Sequence, residues 1–454
     1  MSWPSAHLLV VAIGFLVALS VIMILRQRRA PQATLAWLLF LVLVPYVAVP
    51  LFAVMGFRKR QRSHSAQTLI AGKPQDLAPG AAQIEQLLLR YGLRPASQDN
   101  RFELLASADQ AWSALMHLVE TAATSLSVTL YILGNDATGR AFCAALQERA
   151  RAGVDVRVVL DAVGSFFRPR SALRDLRAAG AQVRLYSPLL HYPTGDHLNL
   201  RNHRKMVIAD GARVWSGGRN VGEEYLGPDA LPDRWLDLSY LLAGPAVAAC
   251  DEIFRSDWAM AGGRQESSTA IPVTKTSGGS KVQFVPAGPD VPEDPLHDAL
   301  IFAIHSAYSR LWVVTPYFLP TPSLSEALAI AARRGVDVRI VVPARSNQVF
   351  ADLARGASLR ELVQCGCHVH LHPAMIHAKA IIADDLAFLG SANFDARSLL
   401  LNFEVMSLLY SPHDVAVLRS WMHELLASAP EGLPPTSVAR RSFEVIFRLV
   451  SPIL

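Results

Sequence analysis

Residues 203–210 read HRKMVIAD and residues 377–384 read HAKAIIAD, so the phrase His-x-Lys-x-x-x-x-Asp occurs twice in the chain. A glycine and an asparagine close each copy, in GGRN (217–220) and GSAN (390–393). Apolar residues follow each lysine, and turn residues follow those, which predicts a β-hairpin. A histidine and a lysine two positions apart project from one face of a strand. The sequence therefore predicts two matching hairpins, each presenting an imidazole beside an ammonium group.

The side chains of both copies together can catalyse a reaction that those of a single copy cannot. The candidate catalytic residues are His203, Lys205, Asp210, His377, Lys379 and Asp384. In a shared pocket the lysines can hold the non-bridging oxygens of a phosphodiester, while one imidazole attacks phosphorus and the other protonates the departing oxygen. A lone His-x-Lys is more often a locally bonded histidine beside a solvated lysine. The duplicated phrase, with its duplicated tail, favours the catalytic interpretation.

A second repeat shows that the duplication extends beyond the histidines. RAGVDVRVVL (151–160) and RRGVDVRIVV (333–342) match almost residue for residue. A helical pattern precedes each of them, over 138–151 and 323–334, which is typical of an αβ step. The sequence thus predicts an α/β protein of two domains with one ancestry, meeting over one active site.

The predicted organisation follows from composition and from the repeat. Residues 1–62 are predicted to form a membrane anchor and residues 63–97 a linker. A first domain, with the first phrase, spans 98–262, a connecting seam spans 263–280, and a second domain, with the second phrase, spans 281–454. The linker and the seam are rich in small and polar residues, as segments between domains often are.

The amino-terminal region is strongly apolar. Residues 7–25 and 34–55 contain no Asp, Glu, Lys or Arg, and each is long enough for a helix across a hydrocarbon core of about 30 Å. They predict a pair of membrane helices, although Pro45 and Pro50 could bend the second. A cleaved signal peptide is the alternative for the first segment, but no A-x-A site ends it. Basic clusters follow both segments, so two crossings would place one cluster on each side of the membrane and the positive charges do not decide the orientation. We expect the catalytic part on the cytoplasmic face.

Charge and cysteine content narrow the class of partner. Lys and Arg total 43 and Asp and Glu 38, a net charge of +5 that fits anionic lipid head groups. The charge would equally fit nucleic acid, but no nucleic-acid-binding motif is present, so we expect none as partner. Four cysteines without framework spacing argue against a disulfide scaffold. Oligomeric state is not written in the sequence.

The doubled phrase resembles that of the phospholipase D superfamily. Other, less specific motifs resemble those of the bacterial cardiolipin synthases. These motifs include VPAGPD (285–290), GSANFDARS (390–398) and RLVSPIL (448–454). The resemblance implies two phospholipase D-like α/β/α sandwich domains related by internal duplication, preceded by the membrane helices. It implies a membrane-bound enzyme of the bacterial inner (cytoplasmic) membrane that condenses two phosphatidylglycerols into cardiolipin and glycerol, with no cofactor and no metal.

The resemblance also implies residue roles. One histidine forms a covalent phosphatidyl-histidine, and the other serves as acid and then base; by analogy we expect His203 to attack. Asn220 and Asn393 are expected to line the phosphate pocket. A carboxylate should orient each imidazole, and the candidates are Glu224, Asp237 and Glu404.

Other interpretations stay open at this point. A phospholipase D that uses water, or another phosphatidyltransferase, would share the same intermediate. A catalytically inactive lipid-binding scaffold and a nuclease are further alternatives. The run CGCHVHLHPAMIH (365–377) suggests a metal site, but Cys-x-Cys is not the usual zinc spacing, so we predict a strand there.

Overall fold

The computed structural model describes residues 3–25, 31–55, 79–187, 200–229, 231–264, 276, 278–437, 440 and 444. The chain forms two compact units, one from residues 1–61 and 187–200 and the other from residues 62–186 and 201–454. The predicted linker (63–97) is described only from residue 79. Most of the predicted seam (263–280) and the carboxyl-terminal RLVSPIL lie outside the described residues.

The smaller unit contains apolar helices. They are α1 (Trp3–Leu25), α2 (Pro31–Leu43) and α3 (Pro45–Met55). The helix predicted over 34–55 is divided at Val44, because Pro45 disfavours helical backbone in the residue before it. Within the described ranges no helix has both the length and the apolar character needed to cross a membrane, so the predicted pair of membrane helices is not supported.

The larger unit carries the repeat. Its described helices are α4 (Pro79–Arg90), α5 (Ala108–Glu120), α6 (Ala137–Arg151), α7 (Arg170–Ala178), α8 (Val247–Met260), α9 (Pro295–Ser306), α10 (Pro322–Arg333), α11 (Val349–Gln364), α12 (Ala396–Leu400) and α13 (Pro412–Ala427). Its described strands are β1 (Ser97–Leu105), β2 (Ser125–Leu130), β3 (Asp155–Asp161), β4 (Gln182–Tyr186), β5 (Met206–Ala209), β6 (Arg213–Gly217), β7 (Ser239–Ala243), β8 (Ser280–Ala287), β9 (Arg310–Val314), β10 (Phe318–Leu319), β11 (Asp337–Pro343), β12 (His368–His372), β13 (Ala380–Ala383), β14 (Leu386–Gly390), β15 (Phe394–Asp395) and β16 (Glu404–Leu409).

Strand order shows the same pattern in both halves of this unit. The large sheet runs β12-β11-β9-β13-β14-β16-β8-β1-β7-β6-β5-β2-β3-β4, and β10 pairs separately with β15. In each half three parallel strands adjoin an antiparallel hairpin and one further antiparallel strand. β1 connects the halves, since it pairs with β7 along most of its length and with β8 at Ser97 and Asn100. The predicted α/β class is confirmed.

The repeated GVDV stretches form equivalent helix-to-strand turns. Gly153 ends α6 with a φ of 89° and Gly335 ends α10 with a φ of 87°. Glycine adopts this left-handed conformation without the steric cost that a Cβ would bring. The chain then reverses at once into the parallel strands β3 and β11. The helices predicted over 138–151 and 323–334 are confirmed as α6 and α10.

The two hairpins predicted from the His-x-Lys phrases are also confirmed. β5 pairs with β6, and β13 pairs with β14, both antiparallel. Each hairpin begins at the carboxyl end of a parallel strand, since Met206 pairs with Thr129 of β2 and Ala380 pairs with Val314 of β9. The histidine and lysine of each phrase come directly before the hairpin. They therefore lie at the carboxyl end of the parallel strands, where connecting loops can form a pocket.

Candidate active site

Backbone hydrogen bonds hold each His-x-Lys phrase against the opposite half of the larger unit. The His203 N–H donates to the Phe403 carbonyl at 2.9 Å, and the Phe403 N–H donates to the Arg201 carbonyl at 2.9 Å. The His377 N–H donates to the Leu236 carbonyl at 2.7 Å. Because each phrase is fixed by the segment that follows the other phrase, the two copies face each other.

Each imidazole contacts a buried carboxylate that comes from the other half. His203 Nδ1 lies 3.2 Å from Glu404 Oε1, and His377 Nδ1 lies 2.6 Å from Asp237 Oδ2. The carboxylates are themselves held in place, since Ser391 Oγ donates to Glu404 at 2.6 Å and the Leu238 N–H donates to Asp237 at 2.7 Å. His377 Nδ1 is hydrogen-bonded to Asp237, and Lys379 Nζ lies 3.0 Å from His377 Nε2. His203 Nδ1 lies within ion-pair distance of Glu404, whose Oε1 forms no hydrogen bond among the described residues. Each ring thus turns its Nδ1 toward a carboxylate of the other half. This is the arrangement that orients an imidazole for proton transfer or attack.

The His377 imidazole is held in its neutral form. Burial and the ammonium group of Lys379 lower the pKa of His377 to about 4, and Lys205 of the other phrase adds to that effect. Burial opposes ionisation of Asp237, but His377 and Lys379 hold the pKa of that carboxyl below its usual value. A neutral imidazole can donate its Nδ1 proton to the Asp237 carboxylate and keep a lone pair on Nε2. Lys205 belongs to the other phrase, so charges of both copies act on this imidazole.

The two lysines place positive charge inside this pocket. Lys205 and Lys379 are almost fully buried, with 2 % and 3 % of their surface exposed. Lys205 Nζ donates to the His203 carbonyl at 2.6 Å, and Lys379 Nζ donates to the His377 carbonyl. Burial lowers the pKa of Lys205, and burial together with Lys205 lowers the pKa of Lys379 to about 7 despite the nearby Asp237. Two buried ammonium groups that repel each other favour an anionic ligand between them.

Aromatic rings that the sequence reasoning missed cover both imidazoles. The Tyr131 ring lies 3.8 Å from the His203 ring, and the Lys205 ammonium lies 5.5 Å above the Tyr131 ring. Around His377, the rings of Tyr225 and Trp235 lie at 5.0 and 5.6 Å. Tyr131 directly follows the buried strand β2. Its place at the carboxyl end of a parallel strand could have identified it as a residue near the site.

The remaining predicted pocket residues are placed differently from one another. Asn220 Oδ1 accepts from the Ile132 N–H at 3.2 Å, so it joins the first phrase to the end of β2. Asn393 is buried, and its Oδ1 has no hydrogen-bond partner among the described residues. Glu224 is exposed, and partial desolvation together with the nearby Asp136 raises its pKa. Over the described ranges it forms no ion pair with either histidine, so the structure brings Asp237 and Glu404, not Glu224, to the imidazoles.

The two motif aspartates lie away from the imidazoles. Asp210 accepts the backbone N–H groups of residues 123–125 at 2.7 to 3.1 Å. Asp384 accepts those of residues 308–310 at 2.7 to 3.0 Å. Each carboxylate thus fixes the start of a parallel strand, at the opposite end of the hairpin from the histidine. The structure gives both aspartates this structural contact and brings neither of them to the imidazoles.

A buried ion network that the sequence reasoning did not identify lies behind the first phrase. Arg204, between the reactive histidine and lysine, contacts Asp257 at 2.6 Å and Asp290 at 3.0 Å. Its Nε also donates to the Glu404 carbonyl at 3.2 Å. The second copy has Ala378 at this position. The network ties the backbone of His203 to that of its carboxylate partner.

The histidine-rich run is a strand, as predicted. β12 contains His368, His370 and His372, whose Nδ1 or Nε2 atoms contact Glu431 at 2.7 Å, the Ala429 carbonyl at 3.1 Å and Ser428 at 3.0 Å. Among the residues that the structure describes, no group of three or more His, Cys, Asp or Glu side chains is arranged to hold a metal ion.

Comparison with known families decides where this chain belongs. The family described as "Cardiolipin synthase, PLD-like domain" matches residues 115–258 and 300–426, so each match contains one His-x-Lys phrase. The chain belongs to this family. The predicted assignment to the cardiolipin synthases of the phospholipase D superfamily is confirmed.

Individual relatives agree with the assignment. Cardiolipin synthase A of Pseudomonas fluorescens is 31 % identical, and the alignment covers the whole of both chains. Cardiolipin synthase 1 of Bacillus cereus is 29 % identical over 94 % of this chain and 90 % of its own. A crystal structure of phosphatidylserine synthase from Haemophilus influenzae Rd KW20 has a TM-score of 0.61 at 14 % identity, and covers 82 % of this chain and 98 % of that one. At this identity the last comparison shows a shared fold alone.

Proposed function

We propose that the protein transfers a phosphatidyl group from one phosphatidylglycerol to a second, and so forms cardiolipin and releases glycerol. The observation that carries this proposal is the reciprocal pairing of His203 with Glu404 and of His377 with Asp237. One pocket thereby contains two oriented imidazoles, which can serve as a nucleophile and an acid–base group. The phosphodiester of phosphatidylglycerol carries one negative charge, which suits the buried ammonium groups of Lys205 and Lys379.

In the first step we assign attack to His203, whose Nε2 is directed away from Glu404. Nε2 forms a bond to phosphorus, and the bond from phosphorus to the glycerol oxygen breaks. The departing oxygen takes a proton from His377. Burial and Lys379 depress the pKa of His377 in the free enzyme, but a bound phosphate offsets the lysine charge, so substrate binding raises that pKa and allows the imidazole to carry a proton. The Asp237 carboxylate then stabilises the imidazolium.

In the second step the glycerol hydroxyl of another phosphatidylglycerol gives its proton to His377. Its oxygen attacks phosphorus, and the bond between phosphorus and His203 Nε2 breaks. Cardiolipin forms, and both imidazoles regain their starting protonation. Throughout, Lys205 and Lys379 offset the charge that develops on the non-bridging oxygens.

The proposal is tested with purified full-length protein and phosphatidylglycerol as the sole phospholipid. Mass spectrometry of the products should show cardiolipin and glycerol in equal amounts. Phosphatidic acid in place of cardiolipin would identify a phospholipase D-type hydrolase, and absence of turnover would identify a lipid-binding scaffold. Either result overturns the transferase assignment.

The assignment of the two histidines needs a separate experiment. Protein mixed with phosphatidylglycerol is denatured at alkaline pH, at which a phosphorus–nitrogen bond survives, and is then digested for peptide mass spectrometry. We expect the phosphatidyl group on the peptide that contains His203, and none in the His203→Ala variant. A phosphatidyl group on the peptide that contains His377 would reverse the two roles.

We further propose that the two halves are duplicated α/β/α sandwiches and that the protein works at the bacterial cytoplasmic membrane, with the catalytic unit on the cytoplasmic face. The likeness of strand order in the two halves supports the duplication. The net charge of +5 supports work beside anionic lipid. Protease treatment of intact and everted membrane vesicles tests the location: cleavage of the catalytic unit in everted vesicles alone is expected, and cleavage from the other side refutes it.

A further inference from the structure

An exposed aromatic pair lies on the loop that joins β3 to α7. Phe167 is 81 % exposed and Phe166 is 44 % exposed, and their rings contact each other edge to face at 5.1 Å between centroids. Val163 on the same loop is also exposed. A large apolar group in water forgoes the free energy of burial, so clustered exposed aromatics are typical of a contact surface.

This loop borders the active site. Ser165 Oγ donates to the Tyr131 carbonyl at 2.8 Å and accepts from the Leu133 N–H at 3.1 Å. Tyr131 in turn lies 3.8 Å from the His203 ring. Phe166 therefore directly follows Ser165, the residue whose hydroxyl holds Tyr131 beside the imidazole.

The equivalent loop of the second half has the same character. It follows β11, and there Val349 is 69 % exposed and Phe350 is 57 % exposed at the start of α11. This loop also borders the pocket, because Asn347 Oδ1 accepts from the Tyr317 hydroxyl at 2.5 Å. Tyr317 is itself held beside the second motif, because the Thr315 hydroxyl donates to the Tyr317 carbonyl at 3.0 Å and accepts from the Phe394 N–H, next to Asn393, at 3.1 Å. Both halves therefore place exposed apolar side chains beside one pocket.

Basic residues accompany the apolar ones. Arg168 and Arg170 follow the aromatic pair, and Arg345 precedes the exposed residues of the second loop. Burial lowers the pKa of Arg168, and the charges of Arg170 and Arg177 lower it further. Arginines that repel one another gain from contact with anions, and arginine beside aromatic and aliphatic side chains is the composition of surfaces that enter the head-group region of an anionic bilayer.

We propose that the loops carrying Phe166 and Phe167 and carrying Val349 and Phe350 form a docking surface that inserts into an anionic phospholipid bilayer. The apolar side chains enter the acyl boundary, while the arginines contact phosphates. The pocket between the loops then opens onto the bilayer, so a phospholipid head group reaches the histidines without its acyl chains passing through water. This inference rests on the proposed lipid substrate and specifies how that substrate arrives.

Insertion is tested directly with a fluorescent label in full-length protein reconstituted into vesicles of phosphatidylglycerol and phosphatidylcholine. The background variant is Cys365→Ser, since Cys143, Cys250 and Cys367 are buried. An environment-sensitive dye is attached at Phe167→Cys or, as a matched control, at Tyr308→Cys. Tyr308 is 75 % exposed and lies before β9, at the opposite end of that strand from the pocket.

The dye at position 167 should shift its emission to the blue and be quenched by spin-labelled lipid, and the dye at position 308 should do neither. The same result from both positions, or no quenching at position 167, overturns the proposal. This measurement needs no turnover, so it stands even if the product analysis refutes the transferase.

Activity gives a second measurement. The double variant Phe166→Ser, Phe167→Ser should raise the apparent KM for phosphatidylglycerol in vesicles about tenfold or more, as expected for the loss of two partly inserted aromatic rings. It should leave turnover of monomeric short-chain phosphatidylglycerol unchanged. Tyr308→Ser should change neither. Equal loss on vesicles and on monomers would indicate a distorted pocket and would overturn the docking role.

Discussion

Replacement of Asp237 by asparagine tests the reciprocal design of the pocket most directly. Asp237 Oδ2 lies 2.6 Å from His377 Nδ1, and both groups are buried. At an effective dielectric constant of about 20, opposite unit charges at this distance attract by roughly 6 kcal/mol, which is an upper limit for the stabilisation of an imidazolium. Asparagine retains the shape and the contact with the Leu238 N–H, but it removes the charge. Its amide can also donate to Nδ1, which would leave the proton on Nε2.

We therefore expect Asp237→Asn to lower kcat by about 10²- to 10⁴-fold, equivalent to roughly 3 to 5 kcal/mol in the activation barrier. The melting temperature should change little. The assay is cardiolipin formation from phosphatidylglycerol, with KM and kcat measured separately. Glu404→Gln, at the other imidazole, is the matched comparison and should also lose activity. Turnover of Asp237→Asn within tenfold of the wild type would refute the argument that the carboxylate stabilises a charged His377.

Three further outcomes follow from the geometry. Asp384→Ala leaves the N–H groups of residues 308–310 without their carboxylate acceptor, so denaturant unfolding should show a loss of about 2 to 4 kcal/mol; an unchanged unfolding midpoint would contradict the structural role. Arg204→Met removes the ion-pair partner of the buried Asp257 and of the partly exposed Asp290, and should cost about 3 to 5 kcal/mol on the same measurement; stability equal to wild type would show that the network is dispensable. The pKa of His377 is about 4 in the folded chain and near 6.5 when unfolded, so the unfolded state binds more protons between these values and stability should fall as pH falls from about 6.5 toward 4. Scanning calorimetry should show a shallower fall for His377→Gln, and an identical pH dependence would contradict the depressed pKa.

The local features of the fold could be predicted because their signals are local. The hairpins after each phrase, the helices before the GVDV stretches and the strand at 368–372 all follow from periodicity and turn residues within about fifteen positions. The prediction of one continuous helix over 34–55 failed at Val44. The apolar pattern is continuous there, but Pro45 interrupts the helix. The strand β1 joins the two halves in one sheet by pairing with both β7 and β8. Nothing in its local sequence pattern indicates that it pairs with strands of both halves.

The site was predicted in part for a related reason. The phrases name the imidazoles and ammonium groups, but the carboxylates lie 140 and 201 positions away from their histidines (377 − 237 and 404 − 203). Such pairing depends on tertiary structure, so Glu224 could not be separated from Asp237 on sequence grounds. The strict spacing of the motif aspartates is equally consistent with a catalytic group and with a residue that fixes a strand, so sequence alone could not separate these two roles.

The exchange of carboxylates between halves has a consequence for how the two imidazoles can differ. In an assembly of identical subunits, symmetry would force both rings into the same surroundings and hence the same basicity. A single polypeptide that contains both copies is released from that constraint, and here one ring faces an aspartate at 2.6 Å while the other faces a glutamate at 3.2 Å. Substitutions near either ring can therefore accumulate separately, so that one becomes the better leaving group and the other the better proton carrier.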